Sequence, residues 1–329
     1  MLLFLEFTEV RELLMSLQFG VSLPQGGMME LASIKDSVEA YEAMTRVAQT
    51  ADEVGFTTVW LSDQFHTFPQ PVQEMTFECW ATISALARDT RRVRLGSLIT
   101  CPTYRNPALL AKMASTVDVL SHGRLTLGIG AGGWNERQDR AYGYHAFDAP
   151  TRLRQLHEAI QIMLSMWTQD EAVFEGEHYH VRGAINSPKG VQTPHIPLLI
   201  AGGGEQVTLK LVAQYGDACH IGGDVARIQH KLAILKQHCE AIGRDYESIH
   251  RTASAFCSIG ETHEQAMAKI PEAFLGFLRQ VGTTTLIGSP ATIGEGLAAL
   301  EAAGVQEVLL LFPDVLQLDP LRIFAKAFI

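Results

Sequence analysis

The chain has 329 residues and a formal net charge of −10, with 47% apolar and 19% charged residues. This composition is typical of a globular protein with a large core, and the acidic balance argues against broad nucleic-acid binding, which needs a basic face. The five cysteines are scattered singly, which is neither a zinc framework nor a disulfide scaffold and favours a reducing cytoplasm.

The first apolar run of the chain does not read as a secretion signal. Glu6, Glu9 and Glu12 interrupt it, and no basic segment precedes it. A strand-like pattern begins at residue 17. We therefore expect residues 1–14 to be an extension outside the core, and residues 15–329 to form one domain.

From residue 18 onward, short β-branched apolar runs alternate with segments of helical periodicity. The sequence predicts eight strands, each followed by a helix, at residues 18–23, 57–61, 95–99, 125–129, 195–201, 218–221, 249–259 and 307–312. The alternation is interrupted by two predicted insertions, a hairpin and loop near residues 172–191 and a helical segment near residues 263–284. Eight strands favour a closed parallel (β/α)₈ TIM barrel over an open doubly wound sheet, and the first strand–helix turn lacks a G-x-G-x-x-G fingerprint.

In a TIM barrel, the loops after the strands carry the functional site. Asp63, Gln64 and His66 follow the second predicted strand. The sequence leaves two roles open for Asp63, a functional one and that of a polar cap on the loop. Glycines cluster between residues 128 and 133 after the fourth strand. They permit close approach of a ligand to the backbone, although they also suit tight barrel corners.

The fifth predicted strand ends in a run of glycines, Gly202, Gly203 and Gly204, and a helix is predicted from residue 205. The free N–H groups and positive dipole end of a helix favour an anion, and Thr208 lies in the first turn. We expect a phosphate group there, with a plain turn as the alternative. Among the histidines and cysteines, only His178 and His180 have the spacing of metal ligands on one face. They lie on the first predicted insertion, where we interpret them as surface residues, so no metal site is predicted.

Several segments of the chain together resemble the bacterial luciferase-like superfamily. They are FGVSLPQ, ADEVGFTTVWLSDQFH, VRLGSLITCPTYRNPALLAK, STVDVLSHGRLTLGIGAGGWNE, INSPKGVQTPHIPLLIAGGG and LVAQYGDACH. Within that superfamily they are most similar to oxidoreductases that use the deazaflavin coenzyme F420. The resemblance implies a TIM-like barrel with insertions, commonly a homodimer, which binds its cofactor at the C-terminal rim and acts on a small-molecule substrate.

The resemblance also implies which residues meet the cofactor. A bulge with a non-prolyl cis peptide would lie against the ring at Ser97, Leu98 and Ile99. Two further groups are implied along the rest of the cofactor, with Asp63 beside it: Gly130, Ala131 and Gly132 along the ribityl chain, and Gly202, Gly203, Gly204 and Thr208 at the phosphate.

Two positions depart from the family pattern. Gln64 stands where the F420 enzymes usually have a histidine acid or base, and Gly133 stands where another member has a glutamate. An amide does not take a proton at neutral pH, although it forms hydrogen bonds. Either His66 supplies the proton transfer, or the reaction needs none from the protein. The candidate catalytic residues are therefore His66, Gln64 and Asp63.

The sequence leaves three functions open. The first is F420-dependent hydride exchange with a small organic molecule, and the second is an FMN-dependent monooxygenase or flavin reductase. The third is a non-catalytic flavin or deazaflavin carrier, which the missing histidine favours. The negatively charged tail of F420 needs a basic or open exit, for which Arg105, Arg137 and Arg140 are candidates.

Overall fold

The fold is described here from a computed structural model, which covers residues 17–133, 135–270, 274, 275, 278 and 282–329. The predicted extension at residues 1–14 lies outside these residues. Most of residues 271–281, in the second predicted insertion, also lie outside them.

The described strands alternate with helices along most of the chain. The strands are β1 Gln18–Ser22, β2 Thr58–Leu61, β3 Arg94–Ser97, β4 Leu125–Ile129, β5 Glu171–Glu175, β6 His180–Ile185, β7 Leu198–Ala201, β8 Ala218–His220, β9 His250–Ile259, β10 Thr284–Gly288 and β11 Glu307–Leu311. The helices are α1 Ser37–Val54, α2 Cys79–Asp89, α3 Pro107–Leu120, α4 Glu136–Ala141, α5 Ala149–Thr168, α6 Thr208–Tyr215, α7 Val225–Ile242, α8 His263–Ala268, α9 Pro290–Ala302 and α10 Asp319–Phe328, with 3₁₀ turns at Tyr246–Ser248 and Val315–Gln317.

Parallel strands close into a barrel, which confirms the predicted fold. In the nine-stranded sheet, the order β11-β1-β2-β3-β4-β7-β8 is completed by pairing of both β8 and β11 with β9, so eight strands form a cycle. Because all these pairs are parallel, the C-terminal ends of the strands meet at one rim.

The ninth strand of this sheet, β10, was not predicted. The first residues of β9 pair with β8, whereas residues 255–259 pair with β10. β10 is missed by the sequence pattern because only two of its five residues are buried, and both lie beyond its first two threonines. The second predicted insertion is therefore followed directly by a strand that extends one wall of the barrel.

The first predicted insertion contains the antiparallel hairpin of β5 and β6, which lies outside the barrel sheet. Its turn is fixed to α5 by the Glu158 carboxylate, which accepts hydrogen bonds from the amides of Glu177, His178 and Tyr179 at 2.8 to 3.0 Å. The tip of the hairpin also reaches the loop after β3, where the Tyr179 hydroxyl lies 3.5 Å from the Pro102 carbonyl oxygen.

The N-terminal end and the interior of the barrel are filled by side chains. The Glu307 carboxylate accepts hydrogen bonds from the Thr58 hydroxyl and from His250 Nε2, which is 3.0 Å away. The Trp60 ring occupies the space beside Gly96, where an added Cβ would lie 2.2 Å from it. A ligand of this barrel is therefore expected at the opposite, C-terminal rim.

All five cysteines are buried free thiols. Among the described residues, none of the helices is long and apolar enough to cross a membrane.

Candidate active site

The rim at the C-terminal strand ends has two parts, which we name by their chemistry. The glycine half comprises the ends of β3, β4 and β7 and the loops that follow them. The apolar half comprises the ends of β1 and β11, the side of β9 that faces them and the loop after β1. In the order of strands around the barrel, the two halves lie on opposite sides.

In the glycine half, the chain leaves β3 at Ser97 and continues through a cis peptide bond between Leu98 and Ile99. The non-prolyl cis peptide implied for this bulge is therefore present. The Ser97 hydroxyl is fully buried and donates to the Gly128 carbonyl at 2.9 Å, so it ties β3 to β4. Leu98 and Ile99, which are only partly buried, are the bulge side chains that remain at the rim.

The glycines on β4 and in the loop after it are required by the protein's own packing. An added Cβ on Gly128 would lie 1.9 Å from the Ser97 carbonyl oxygen, and one on Gly130 would lie 2.1 Å from Ile99 Cδ1. At Gly132 it would lie 2.4 Å from the Cys101 sulfur, while Ala131 packs against the core. The alternative that these glycines are needed for tight packing is thus directly supported, and a role in binding a ligand stays a proposal.

The glycine run after β7 leads into α6, which begins at Thr208, three residues later than predicted. The helix has Val207 at its N-cap position and no side-chain cap, whereas Asp36, Asn106 and Asp148 cap other helices of the barrel. The Thr208 hydroxyl lies 2.9 Å from the Cβ position of Gly204. The Leu209 amide donates to the Gly204 carbonyl at 2.9 Å, and the uncapped first turn of α6 lies with the buried Thr208 hydroxyl beside the glycines.

A cation that the sequence analysis missed also lies at this turn. Lys231 of α7 packs its Cε atom 3.5 Å from the Cβ position of Gly203, and its Nζ atom forms an ion pair with Glu205 at 2.5 Å. Hydrogen bonding by Lys231 lowers the pKa of the Glu205 carboxyl. No sequence motif links α7 to this turn, so only the fold brings Lys231 there.

Asp63 follows β2 and is paired with Arg105 of the loop after β3. The guanidinium donates to both carboxylate oxygens at 2.7 and 3.0 Å, and the Cys101 amide donates to Oδ2 at 3.1 Å. Burial raises the pKa of the Asp63 carboxyl, and the hydrogen bonds and charge of Arg105 oppose this rise. Asp63 therefore holds the loop after β3 in place.

The ion pair between Asp63 and Arg105 argues against the expectation that Arg105 forms a basic exit for the F420 tail. Arg105 is mostly buried and also pairs with Glu78 at 2.5 Å, so its charge is neutralised by carboxylates. Arg140 is exposed but pairs with Glu136 at 3.3 Å. Arg137, also exposed, donates to the Gln70 side chain at 3.1 Å.

Gln64 connects the loops after β1 and β2. Its buried Nε2 group donates to the His66 carbonyl at 2.7 Å and to the Gly27 carbonyl at 3.3 Å. The Phe68 amide donates to the same Gly27 carbonyl at 2.8 Å. The position that carries a histidine in the resembling enzymes therefore fixes loop geometry in this chain.

His66 lies beside Gln64 with one ring nitrogen engaged. Its Nδ1 atom is 3.0 Å from the Thr67 carbonyl oxygen, which only accepts, so Nδ1 carries the proton. The Nε2 atom is then an acceptor in the neutral ring, and within the described part of the chain it is buried with no hydrogen-bond partner. An unpaired buried acceptor at the rim suits proton transfer.

At Gly133, where another member of the family has a glutamate, a cation fills the space of the side chain. The backbone is left-handed, with φ of +82°, and an added Cβ would lie 2.1 Å from the Arg152 Cζ atom. The Arg152 side chain comes from α5 and donates to the Phe147 carbonyl. The sequence shows the missing acid but gives no sign of the guanidinium that fills its space.

An aromatic cluster of Phe65, Tyr104, Tyr142 and Tyr144 covers the loops after β2, β3 and β4, with ring centroids 4.8 to 6.1 Å apart. The Tyr104 hydroxyl donates to Asp139 at 2.6 Å, and Gln138 accepts from the Phe65 amide at 2.9 Å. These contacts join the three loops into one cover at the edge of the glycine half.

The apolar half encloses a cavity of about 560 Å³. It is lined by the ends of β1 and β11, by Phe256 of β9, and by Met28, Met29 and Glu30 of the loop after β1. Met28 N–H donates to Glu30 Oε2 at 2.8 Å. Sequence reasoning missed Glu30, because it lies in an irregular loop with no motif around it.

Most of the chain is similar to proteins of one family. Residues 17–283 match the family described as luciferase-like monooxygenases. The F420-dependent glucose-6-phosphate dehydrogenase of Gordonia bronchialis is 32% identical over 225 residues, which cover 66% of this chain and 65% of that protein. The chain thus spans slightly less than two thirds of that relative's length.

Solved structures share the fold over nearly the whole chain. An F420-dependent secondary alcohol dehydrogenase in complex with an F420-acetone adduct has a TM-score of 0.79 at 19% identity, over 95% of this chain and 98% of that one. The monooxygenase RslO1 from Streptomyces bottropensis has a TM-score of 0.76 at 21% identity, over 94% and 98%. At these identities the likeness shows the fold alone.

Proposed function

Because this chain belongs to the luciferase-like family, we propose that it is an oxidoreductase that binds F420 in the glycine half of the rim and exchanges hydride with a small organic molecule. The observation that carries the proposal is the uncapped start of α6 beside Gly202, Gly203, Gly204 and the buried Thr208 hydroxyl. The relative named as an F420-dependent dehydrogenase supports the choice of cofactor.

The residues of the glycine half fit a flat ring with a phosphate-bearing chain. Leu98 and Ile99 offer an apolar surface at the bulge after β3. The glycines of the β4 loop present backbone, and the α6 turn presents N–H groups with the Thr208 hydroxyl for the phosphate. Asp63 acts by holding the loop after β3, since its carboxylate oxygens are engaged by Arg105 and Cys101.

When bound, F420 supplies the carbon that accepts or gives the hydride. The chain's own part is to place the ring and to move a proton. His66 holds its proton on Nδ1 and presents Nε2 as the acceptor. Gln64 positions His66 through the bond to its carbonyl group and takes no proton itself.

The proposal is tested by titrating the purified protein with F420 and, separately, with FMN, and by following fluorescence quenching and absorbance. We expect F420 to saturate the protein and FMN to bind more weakly. Tight FMN binding without a response to F420 would replace this function by the FMN-dependent alternative. Binding of a cofactor without turnover on any reducible or oxidisable substrate would indicate a carrier.

The cytoplasmic location and the homodimer remain predictions. Light scattering on the purified protein tests the second, and a monomeric mass would contradict it.

A further inference from the structure

The cavity of the apolar half has a mostly apolar lining that contains a carboxylate, that of Glu30. Its volume of about 560 Å³ lies within the usual range of small-molecule sites. Among the lining residues that the structure describes, Glu30 is the single charged side chain, and Ser22 and Ser33 are the hydroxyls. The remaining described lining is aromatic, aliphatic, methionine or proline.

Backbone amides hold the Glu30 carboxylate in place. The Met28 amide donates to Oε2 at 2.8 Å. Burial raises the pKa of the Glu30 carboxyl, and the amides of Glu30, Met28 and Gly26 partly offset the rise. A carboxylate has about four acceptor sites, so it retains capacity for a ligand donor.

These surroundings disfavour a phosphate group. Phosphate sites in proteins use arginine, lysine or a helix N-terminus, and the described lining of this cavity offers none of them. A phosphate in the cavity would instead lie near the Glu30 carboxylate, in apolar surroundings where like charges repel more strongly than in water. The described lining of the cavity is thus unsuited to a sugar phosphate, the substrate class in the name of the Gordonia relative.

We infer that this cavity binds the substrate, and that the substrate is an uncharged, largely apolar alcohol whose hydroxyl group donates a hydrogen bond to Glu30. The inference rests on the proposed function, because it takes F420 as the second reactant. Oxidation of such an alcohol moves a hydride from the carbon bearing the hydroxyl to F420 and passes the hydroxyl proton to a base, the role given to His66 Nε2 in the proposed function, which yields a carbonyl compound and reduced F420.

The test measures binding of defined probes to the F420-loaded protein by calorimetry. The probes are 1-phenylethanol and cyclohexanol, their hydroxyl-free counterparts ethylbenzene and cyclohexane, and glucose 6-phosphate. We expect the alcohols to bind more tightly than the hydrocarbons, and glucose 6-phosphate to give no binding heat and no competition. Neither comparison depends on turnover.

Substitution of Glu30 identifies the partner of the hydroxyl group. Glu30→Gln replaces a charged acceptor by a neutral one, and we expect it to weaken alcohol binding about tenfold or more while hydrocarbon binding stays unchanged. Glu30→Leu, which removes the acceptor, should abolish the preference for alcohols. Glu42→Gln, at an exposed position of α1, is the matched control and should change neither class.

Several outcomes would overturn the inference. They are tighter binding of glucose 6-phosphate than of the alcohols, failure of both alcohols to bind, and equal weakening of alcohols and hydrocarbons by Glu30→Gln. F420 affinity is measured in parallel for each variant. If wild-type protein does not bind F420, the proposed function falls, and this inference falls with it. Normal F420 binding without discrimination among the probes overturns the substrate inference alone.

Discussion

The two halves of the rim differ in the groups that they expose, which are backbone in the glycine half and side chains in the apolar half. The glycine half presents backbone, and an added Cβ on Gly128 or Gly130 would lie about 2 Å from a neighbouring atom. The apolar half presents side chains around a cavity, with Glu30 among them. The first half therefore tolerates little change without a loss of packing, while the second can change its selectivity with the fold intact.

The largest effect is expected at the ion pair between Asp63 and Arg105, which holds the loop after β3 in the glycine half. Arg105→Leu leaves the buried Asp63 carboxylate unpaired, which typically costs about 3–5 kcal/mol in the free energy of unfolding. Denaturant unfolding measures this loss. Addition of Asp63→Asn should recover part of it, because the uncompensated charge is then gone.

The same variant has a predictable pH dependence. Without Arg105, the pKa of the buried Asp63 carboxyl rises further above its unfolded value, so the folded state binds the extra proton. The deficit in stability relative to wild type should therefore shrink as the pH falls below neutral and grow as the pH rises. The exposed pair Arg182 and Glu175 is the control, since Arg182→Ala should produce no measurable change at any pH.

The proposed role of His66 in proton transfer is tested by substitution. His66→Ala should lower the rate of hydride transfer by about 10²-fold or more if Nε2 is the acid or base, with F420 affinity unchanged. Stopped-flow absorbance of the cofactor measures the rate. His180→Ala, on the exposed hairpin, is the control. An unchanged rate in His66→Ala would remove this residue from the mechanism.

Gly128→Ala tests the packing requirement of the glycine half. The new Cβ would lie 1.9 Å from the Ser97 carbonyl oxygen, so backbone must shift. We expect a loss of about 1–3 kcal/mol in unfolding free energy, together with weaker F420 binding. Gly222→Ala is the matched control, because its added Cβ meets no heavy atom of the described residues within 4 Å. Equal stability of both variants would contradict the packing argument.

The smallest effect is expected at the phosphate turn. Thr208→Val keeps the shape but removes the hydroxyl, and we expect F420 affinity to fall about tenfold. Thr292→Val is a close control, because Thr292 lies beside Gly288 at the start of α9, which Ser289 caps. If both variants bind F420 like wild type, the phosphate does not contact Thr208.

The sequence predicted the barrel because alternating strand and helix periodicities report which faces are buried. It missed β10, since a strand of five residues with only two buried positions leaves little periodic signal. The loops after the strands were located correctly along the chain, although the start of α6 was placed three residues too early.

Prediction of the site was limited by contacts between distant segments. Lys231 reaches the glycine turn from α7, and Arg152 reaches Gly133 from α5. Glu30 enters the cavity from an irregular loop. Local patterns carry no information on such encounters, because they depend on how separate helices and loops pack against the rim.

The contact between Arg152 and Gly133 constrains how this chain can change during evolution. A glutamate at residue 133 would need the backbone to leave its left-handed conformation and the guanidinium to move from the space now required for a side chain. The two positions are in contact, so the effects of substituting them are not expected to add. A glutamate at residue 133 is therefore expected to be tolerated better when Arg152 is replaced by a smaller residue than when it is retained.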